Sequence, residues 1–124
     1  MTIFKIFQPH EWLQIVQTQR FKGSADDLRD GFIHLSAADQ LAGTLEKYYA
    51  DFPHIIIASV GSQNWGSHLK WELSRGGASF PHLYTDLLMR DVTQYWELSK
   101  ARATMWDLSV IEADLKMVFA PSDI

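Results

Sequence analysis

Apolar residues along this chain fall into short blocks whose spacing alternates between strand-like and helix-like. Ile3, Phe4, Ile6 and Phe7 surround Lys5 and predict an opening strand over Met1–Phe7. Pro9 suits a first helical turn, where its missing N–H costs nothing. Trp12, Ile15, Val16 and Gln19 share one face of the helix that follows, so Trp12–Thr18 is expected to pack inward. The stretch KGSADDLRDG, with Gly23 and Gly31 among small and acidic residues, reads as a loop with room for one helical turn. FIHL is a short buried strand. Ser36 then suits an N-cap, with Asp39 favouring the positive end of the new helix. Leu41, Leu45, Tyr48, Tyr49 and Phe52 recur at helical spacing and predict a helix from Ala37 to about Ala50, which Pro53 ends.

The second half is richer in strands. HIIIASV is β-branched and bounded by Pro53 and Gly61, the pattern of a central strand. GSQNWGSH is a loop or hairpin connection. LKWEL alternates Leu69, Trp71 and Leu73 against Lys70 and Glu72, the pattern of a half-buried strand. SRGGASFP is a loop leading into HLY, and VTQYWEL is a further strand. In the tail, Met105, Leu108, Ile111, Leu115 and Val118 favour a helix, although Trp106, Leu108 and Val110 also alternate. The order β-α-loop-β-α-β-β-β predicts a single α+β domain, with two main helices and small split or mixed sheets, over a doubly wound parallel sheet.

Composition narrows the class. The 124 residues suit one domain, 47% of them are apolar and 21% charged, and such a chain buries roughly two-thirds of its unfolded surface. Without cysteine, disulfides and thiolate metal sites are excluded. A net charge of −4 with scattered Lys and Arg speaks against binding DNA or RNA duplexes. The N-terminus lacks the pattern of a secretory signal, and no apolar run is long enough to span a bilayer. A cytoplasmic protein without membrane association is expected; the oligomeric state is not legible.

No phosphate-cradling glycine loop, Gly-x-Ser-x-Gly elbow or His-Glu-x-x-His helix is present. None of the five histidines has a partner at i+2 or i+4, so no local metal motif exists and no metal is expected. His10, His54 and His68 lie in polar or turn contexts. His34 and His82 differ, because FIHLS and FPHLY bury an imidazole that then needs hydrogen-bond partners. Each has a hydroxyl two residues on, Ser36 and Tyr84, on the same side of an extended strand. Glu72 is either a solvent-facing partner of Lys70 or a carboxylate that orients a ribose hydroxyl or stabilises charge on a sugar carbon. Lys5 points outward or supplies a cation at a cleft edge. Arg29 and Arg75 are loop cations able to hold phosphate.

The motifs IFKI, EW, GFIHLS, KWE and FPHLY, in this order over roughly residues 2–98, resemble those of a small bacterial family, domain-of-unknown-function family 952. That family is thought to share the ADP-ribosyltransferase fold, and GFIHLSAADQLAG is similar to the His-Val-His-Leu-Ser region of NAD-dependent RNA 2'-phosphotransferases. The resemblance implies an ADP-ribosyltransferase-like domain over residues 1–99, a C-terminal extension over 100–124 packed on it, and a cleft between small sheets that holds NAD. Where most family members carry a histidine in the first strand, this chain has Lys5, which can grip phosphate but cannot accept a hydrogen bond.

The expected function is therefore binding of NAD or a related small-molecule nucleotide, with transfer or hydrolysis at the ribosyl bond. Glu72 and His82 are the catalytic candidates, and Lys5, His34, Ser36 and Tyr84 the ligand-binding ones. The alternative is a non-catalytic nucleotide- or metabolite-binding, or protein-interaction, module on the same fold.

Overall fold

IFKIF and HIIIASV form the centre of the molecule because both carry apolar side chains on their two faces, as strands covered from both sides do. A computed structural model describes residues 2–61, 65–100 and 106–116. Strand β1 (Ile3–Phe7) is followed by helix α1 (Pro9–Thr18), β2 (Arg20–Phe21), α2 (Ala25–Asp30), β3 (Ile33–His34), β4 (Ser36–Ala37), α3 (Leu41–Tyr48) and β5 (His54–Val60). Then come β6 (Leu69–Leu73), β7 (Ser79–Leu83), β8 (Leu87–Leu88), β9 (Val92–Ser99) and α4 (Ser109–Leu115). The strands form a four-stranded sheet ordered β4-β1-β5-β9, a three-stranded sheet ordered β3-β7-β6 and the pair β2-β8, with every pairing antiparallel. Among the described residues this is a small α+β fold built from several antiparallel sheets and four α-helices.

The four-stranded sheet separates two apolar clusters. One gathers Ile3, Phe7, Trp12, Ile15, Phe21, Ile56, Ala58 and Leu83. The other gathers Phe4, Ile6, Leu41, Leu45, Ile55, Ile57, Trp96 and Ile111 of α4. Alternation along β1 therefore sends Lys5 to the side of Ile3 and Phe7, into the interior, where it is 3% exposed.

Several local expectations need correction. Ser36 does not cap a helix, because it stays extended and pairs with Phe4 in the β1–β4 ladder. Gln40 does that work, accepting the Ala37 N–H at 3.0 Å, and a 3-10 turn over Ala38–Gln40 precedes the shorter α3. The KGSADDLRDG stretch contains a capped helix: the Asp27 amide donates to Ser24 Oγ and the Ser24 amide donates to Asp27 Oδ2. Val16, expected inward, is exposed beside Leu13. Leu69 packs on the core, but Trp71 and Leu73 are exposed because β6 is the edge of its sheet. Met105 and Val118 of the expected tail helix lie outside the described residues, which place α4 over Ser109–Leu115. Among the described residues no helix is long and apolar enough to cross a membrane.

Candidate functional site

Between residues 33 and 37 the chain changes sheets. Ile33 and His34 pair with Leu83 and His82, whereas Ser36 and Ala37 pair with Phe4 and Ile3. Leu35 bridges them, its N–H donating to Pro81 O at 3.1 Å. The switch opens a cleft between the two sheets, closed at its sides by α2 and α3.

Its deepest feature is an ion pair. Lys5 Nζ donates to Asp27 Oδ2 at 2.9 Å and to the His34 carbonyl at 3.1 Å, and both charged side chains are buried. Asp27 Oδ2 also accepts the Ser24 amide, while Oδ1 accepts the His34 amide at 3.0 Å and His34 Nδ1 at 2.6 Å. Burial alone would raise the Asp27 pKa; the bonds from His34, Lys5 and Ser24 outweigh it and hold the carboxyl far below the usual range. The capping geometry of α2 thus aims one carboxylate at three separate elements.

His34 is clamped from both sides. Its Nε2 stands 3.0 Å from Asp30 Oδ2, so both ring nitrogens face carboxylate oxygens, which only accept. Asp30 in turn takes Arg29 Nε at 3.1 Å, and Arg29 NH1 reaches Asp26 at 3.0 Å. The Arg29 bond is the main reason the Asp30 pKa is lowered.

The neighbouring strand carries a second carboxylate–histidine pair. His82 Nδ1 donates to Glu72 Oε1 at 2.9 Å, and the Tyr84 hydroxyl donates to the same oxygen at 2.6 Å. The Tyr84 bond and then the His82 bond lower the Glu72 pKa, and the same hydrogen bond to Glu72 raises that of Tyr84. Phe32 stacks on the His82 ring with centroids 3.9 Å apart and also touches His34 and Tyr84. His82 Nε2 has no hydrogen-bond partner among the described residues, although the side chain is buried and lines the cleft.

The cleft holds a cavity of about 220 Å³, lined by Lys5, Asp26, Asp27, Asp30, His34 and His82 together with Tyr49, Phe80 and others. Burial keeps the Tyr49 phenol protonated well above its usual range, with the Glu11, Asp27 and Asp26 charges adding to the effect. Among the described residues no group of three or more His, Asp or Glu side chains could hold a metal ion.

Of the residues singled out from sequence, Lys5, His34 and His82 meet at this cavity. Lys5 is not at a cleft edge, since its alternation position directs it inward to Asp27. Glu72 is not a lining residue; it holds His82 from behind, and Tyr84 helps to hold Glu72. Nor is Glu72 in an ion pair with Lys70, whose ammonium lies 5.0 Å from the centre of the Tyr84 ring. Ser36 lies off the lining, buried, with Oγ 3.3 Å from Thr44 Oγ1, because the sheet switch at Leu35 separates it from His34. Arg29 lines the cleft but is shared by two aspartates, and the Arg75 side chain lies outside the described structure. Sequence reading missed Asp27, Asp30 and Tyr49. The Ser24-x-x-Asp27 spacing of a capping box was a usable signal for Asp27, whereas Tyr49 reads as one more apolar position of the helix expected from Ala37 to about Ala50.

A family model described as protein of unknown function (DUF952) matches residues 6–95. The chain is also similar to protein CC0527 from Caulobacter crescentus. Its crystal structure is 41% identical with a TM-score of 0.84, over 91% of this chain and 99% of that one. The solution NMR structure of CC0527 gives a TM-score of 0.78 at 41% identity, over 89% of this chain and 95% of that one. No curated protein matches the chain.

Proposed function

The chain belongs to the family of proteins of unknown function DUF952, and from the chemistry of its cleft we propose that it binds the ribosyl portion of a nucleotide such as NAD on an ADP-ribosyltransferase-like scaffold. The observation that carries this reading is buried His82, which lines a cavity with Asp26 and Asp30, gives its Nδ1 to Glu72 and has no hydrogen-bond partner for Nε2 among the described residues. A vicinal diol supplies what such a rim needs: hydroxyl hydrogens for carboxylates and for an imidazole nitrogen, and hydroxyl oxygens for the Tyr49 phenol.

Size and charge limit how much of the ligand enters. Pockets for whole small-molecule ligands are roughly 300–1,000 Å³, so a cavity of about 220 Å³ takes a sugar with part of its base and leaves a diphosphate outside. Charge agrees with this, because Lys5 and Arg29 already face aspartates.

At a ribosyl bond the chain's groups divide the work. Glu72 fixes the His82 tautomer with N–H on Nδ1, so Nε2 takes the proton of a water or hydroxyl whose oxygen bonds to the sugar carbon as the glycosidic C–N bond of NAD breaks and nicotinamide leaves neutral. Asp30, at the rim, stabilises positive charge developing on the sugar carbon. Lys5, Asp27 and His34 form the rigid floor.

A thermal-shift titration with NAD, ADP-ribose, AMP and nicotinamide tests the reading. Ligand at about a hundred times its dissociation constant adds roughly 2.7 kcal/mol, several degrees of melting point. A saturable shift with the ribose-bearing compounds, lost in His82→Ala, supports it, and nicotinamide release then separates enzyme from binding module. Absence of any shift at millimolar nucleotide removes it.

A further inference from the structure

Strand β6 ends the three-stranded sheet, with β7 on one side and no strand on the other among the described residues. Tyr84 N–H donates to the His68 carbonyl and Ser74 N–H donates to that of Ala78. By the alternation of an antiparallel ladder, Lys70 and Glu72 therefore bond to β7. The amides of Trp71 and Leu73 and the carbonyls of Leu69, Trp71 and Leu73 point to the open edge, whereas the Leu69 amide turns back to the Gly66 carbonyl. Pro81 agrees with this phase: it sits opposite Trp71, where β7 needs no N–H for β6.

An open edge is a template for another strand, and proteins commonly guard one with a lysine. Here, among the described residues, Lys70 has no ion pair and Glu72 uses only Oε1, for His82 and Tyr84. Beside them Trp71 is 42% and Leu73 75% exposed.

We infer that β6 pairs with β6 of a second copy, antiparallel about a two-fold axis at Trp71. The sequence LKWEL is complementary to itself in this register: Trp71 meets the partner's Trp71, Leu69 meets the partner's Leu73, and Lys70 meets the partner's Glu72. The outward amides of Trp71 and Leu73 and the outward carbonyls of Leu69, Trp71 and Leu73 fall at the hydrogen-bonded positions of the new ladder. Lys70 and Glu72 fall at the non-hydrogen-bonded positions, where side chains come closest. Charge complementarity thus selects a second copy over an unrelated strand, and it turns the guarding lysine into an attractive contact. A shift of one residue would set Lys70 against the partner's Trp71 and lose both ion pairs. The contact is small, so the dimer is a weak one.

Sedimentation equilibrium of the full chain from micromolar to millimolar concentration, with amide hydrogen exchange at each end of the range, tests this. The expected result is a monomer–dimer equilibrium, with the amides of Trp71 and Leu73 gaining protection as dimer forms while those of Lys70 and Glu72 are protected throughout. Lys70→Glu, at an exposed side chain, sets like charges together and weakens self-association by roughly tenfold or more. Mixing Lys70→Glu with Glu72→Lys chains restores a heterodimer, because every cross-strand pair is again of opposite sign. A chain that stays monomeric at millimolar concentration overturns the inference. So does a dimer in which the Trp71 amide exchanges freely, or one indifferent to Lys70→Glu.

Discussion

His34 and His82 are direct register partners across β3 and β7, their rings 5.9 Å apart, and each gives its Nδ1 to a carboxylate. The likeness stops at Nε2. That of His34 stands 3.0 Å from Asp30 Oδ2, and that of His82, on a ring that lines the cavity, has no partner among the described residues. Substitutions at the two rings should therefore fail in different ways.

Removing Asp27 should be the most damaging single change at the site. Asp27→Ala strands a buried ammonium and frees the His34 and Ser24 amides, at a cost of about 3–5 kcal/mol. The melting temperature should fall by roughly 10–20 °C for a chain of this size. Lys5→Met combined with Asp27→Asn should be more stable than Asp27→Asn alone, because the uncompensated charge is gone. Thermal denaturation of the three variants checks the order.

Acid should act through the same group. The folded-state pKa of Asp27 lies below its ordinary value of 3.8, so its stabilising contribution is present above that value. The contribution is lost as pH falls below 3.8 toward the depressed folded value. Urea midpoints measured from neutral pH downward should drop steeply in that acid range, and Asp27→Asn should flatten the drop.

Gly23 guards the entry to α2. At φ +135° it occupies backbone space that side chains rarely adopt, and an added Cβ would lie 2.8 Å from Asp27 Cβ. Gly23→Ala should cost about 1–3 kcal/mol and loosen the Lys5–Asp27 pair. The sign to look for in NMR spectra is a displaced His34 amide, whose hydrogen bond runs to Asp27.

Tyr84 should titrate above an ordinary tyrosine, since ionising it breaks its bond to Glu72 and sets two negative charges together. Following its ring carbons by NMR across alkaline pH gives the value directly. Glu72→Gln should bring the titration back toward 10.0, with little change in stability because Glu72 is partly exposed.

The fold's central layer was legible because its apolar runs are unambiguous: IFKIF, HIIIASV and VTQYWEL all became strands of one sheet. The sheet switch was not. FIHLS reads as one strand by composition, and only the long-range pairing of Ser36 with Phe4 breaks it at Leu35. That break is why the expected His34–Ser36 pair fails, while His82 and Tyr84, within and just after an uninterrupted β7, do share Glu72. Lys5 shows the same limit. The sequence reading left it outward or at a cleft edge, because its burial depends on Asp27, 22 residues away. β2 and β8 are two residues each, too short to carry a period.

The ligand role of His82 is tested most directly by observing its ring nitrogens. In a histidine-optimised ¹H–¹⁵N correlation spectrum, titration with NAD or ADP-ribose should move the His82 Nε2 resonance saturably. Its Nδ1 should stay in the bonded position set by Glu72, and the His34 nitrogens should move little. If millimolar ligand leaves the His82 Nε2 resonance in place, or the shifts fall only at surface histidines such as His10 and His54, the cleft does not bind the ribosyl group and the proposed function is wrong.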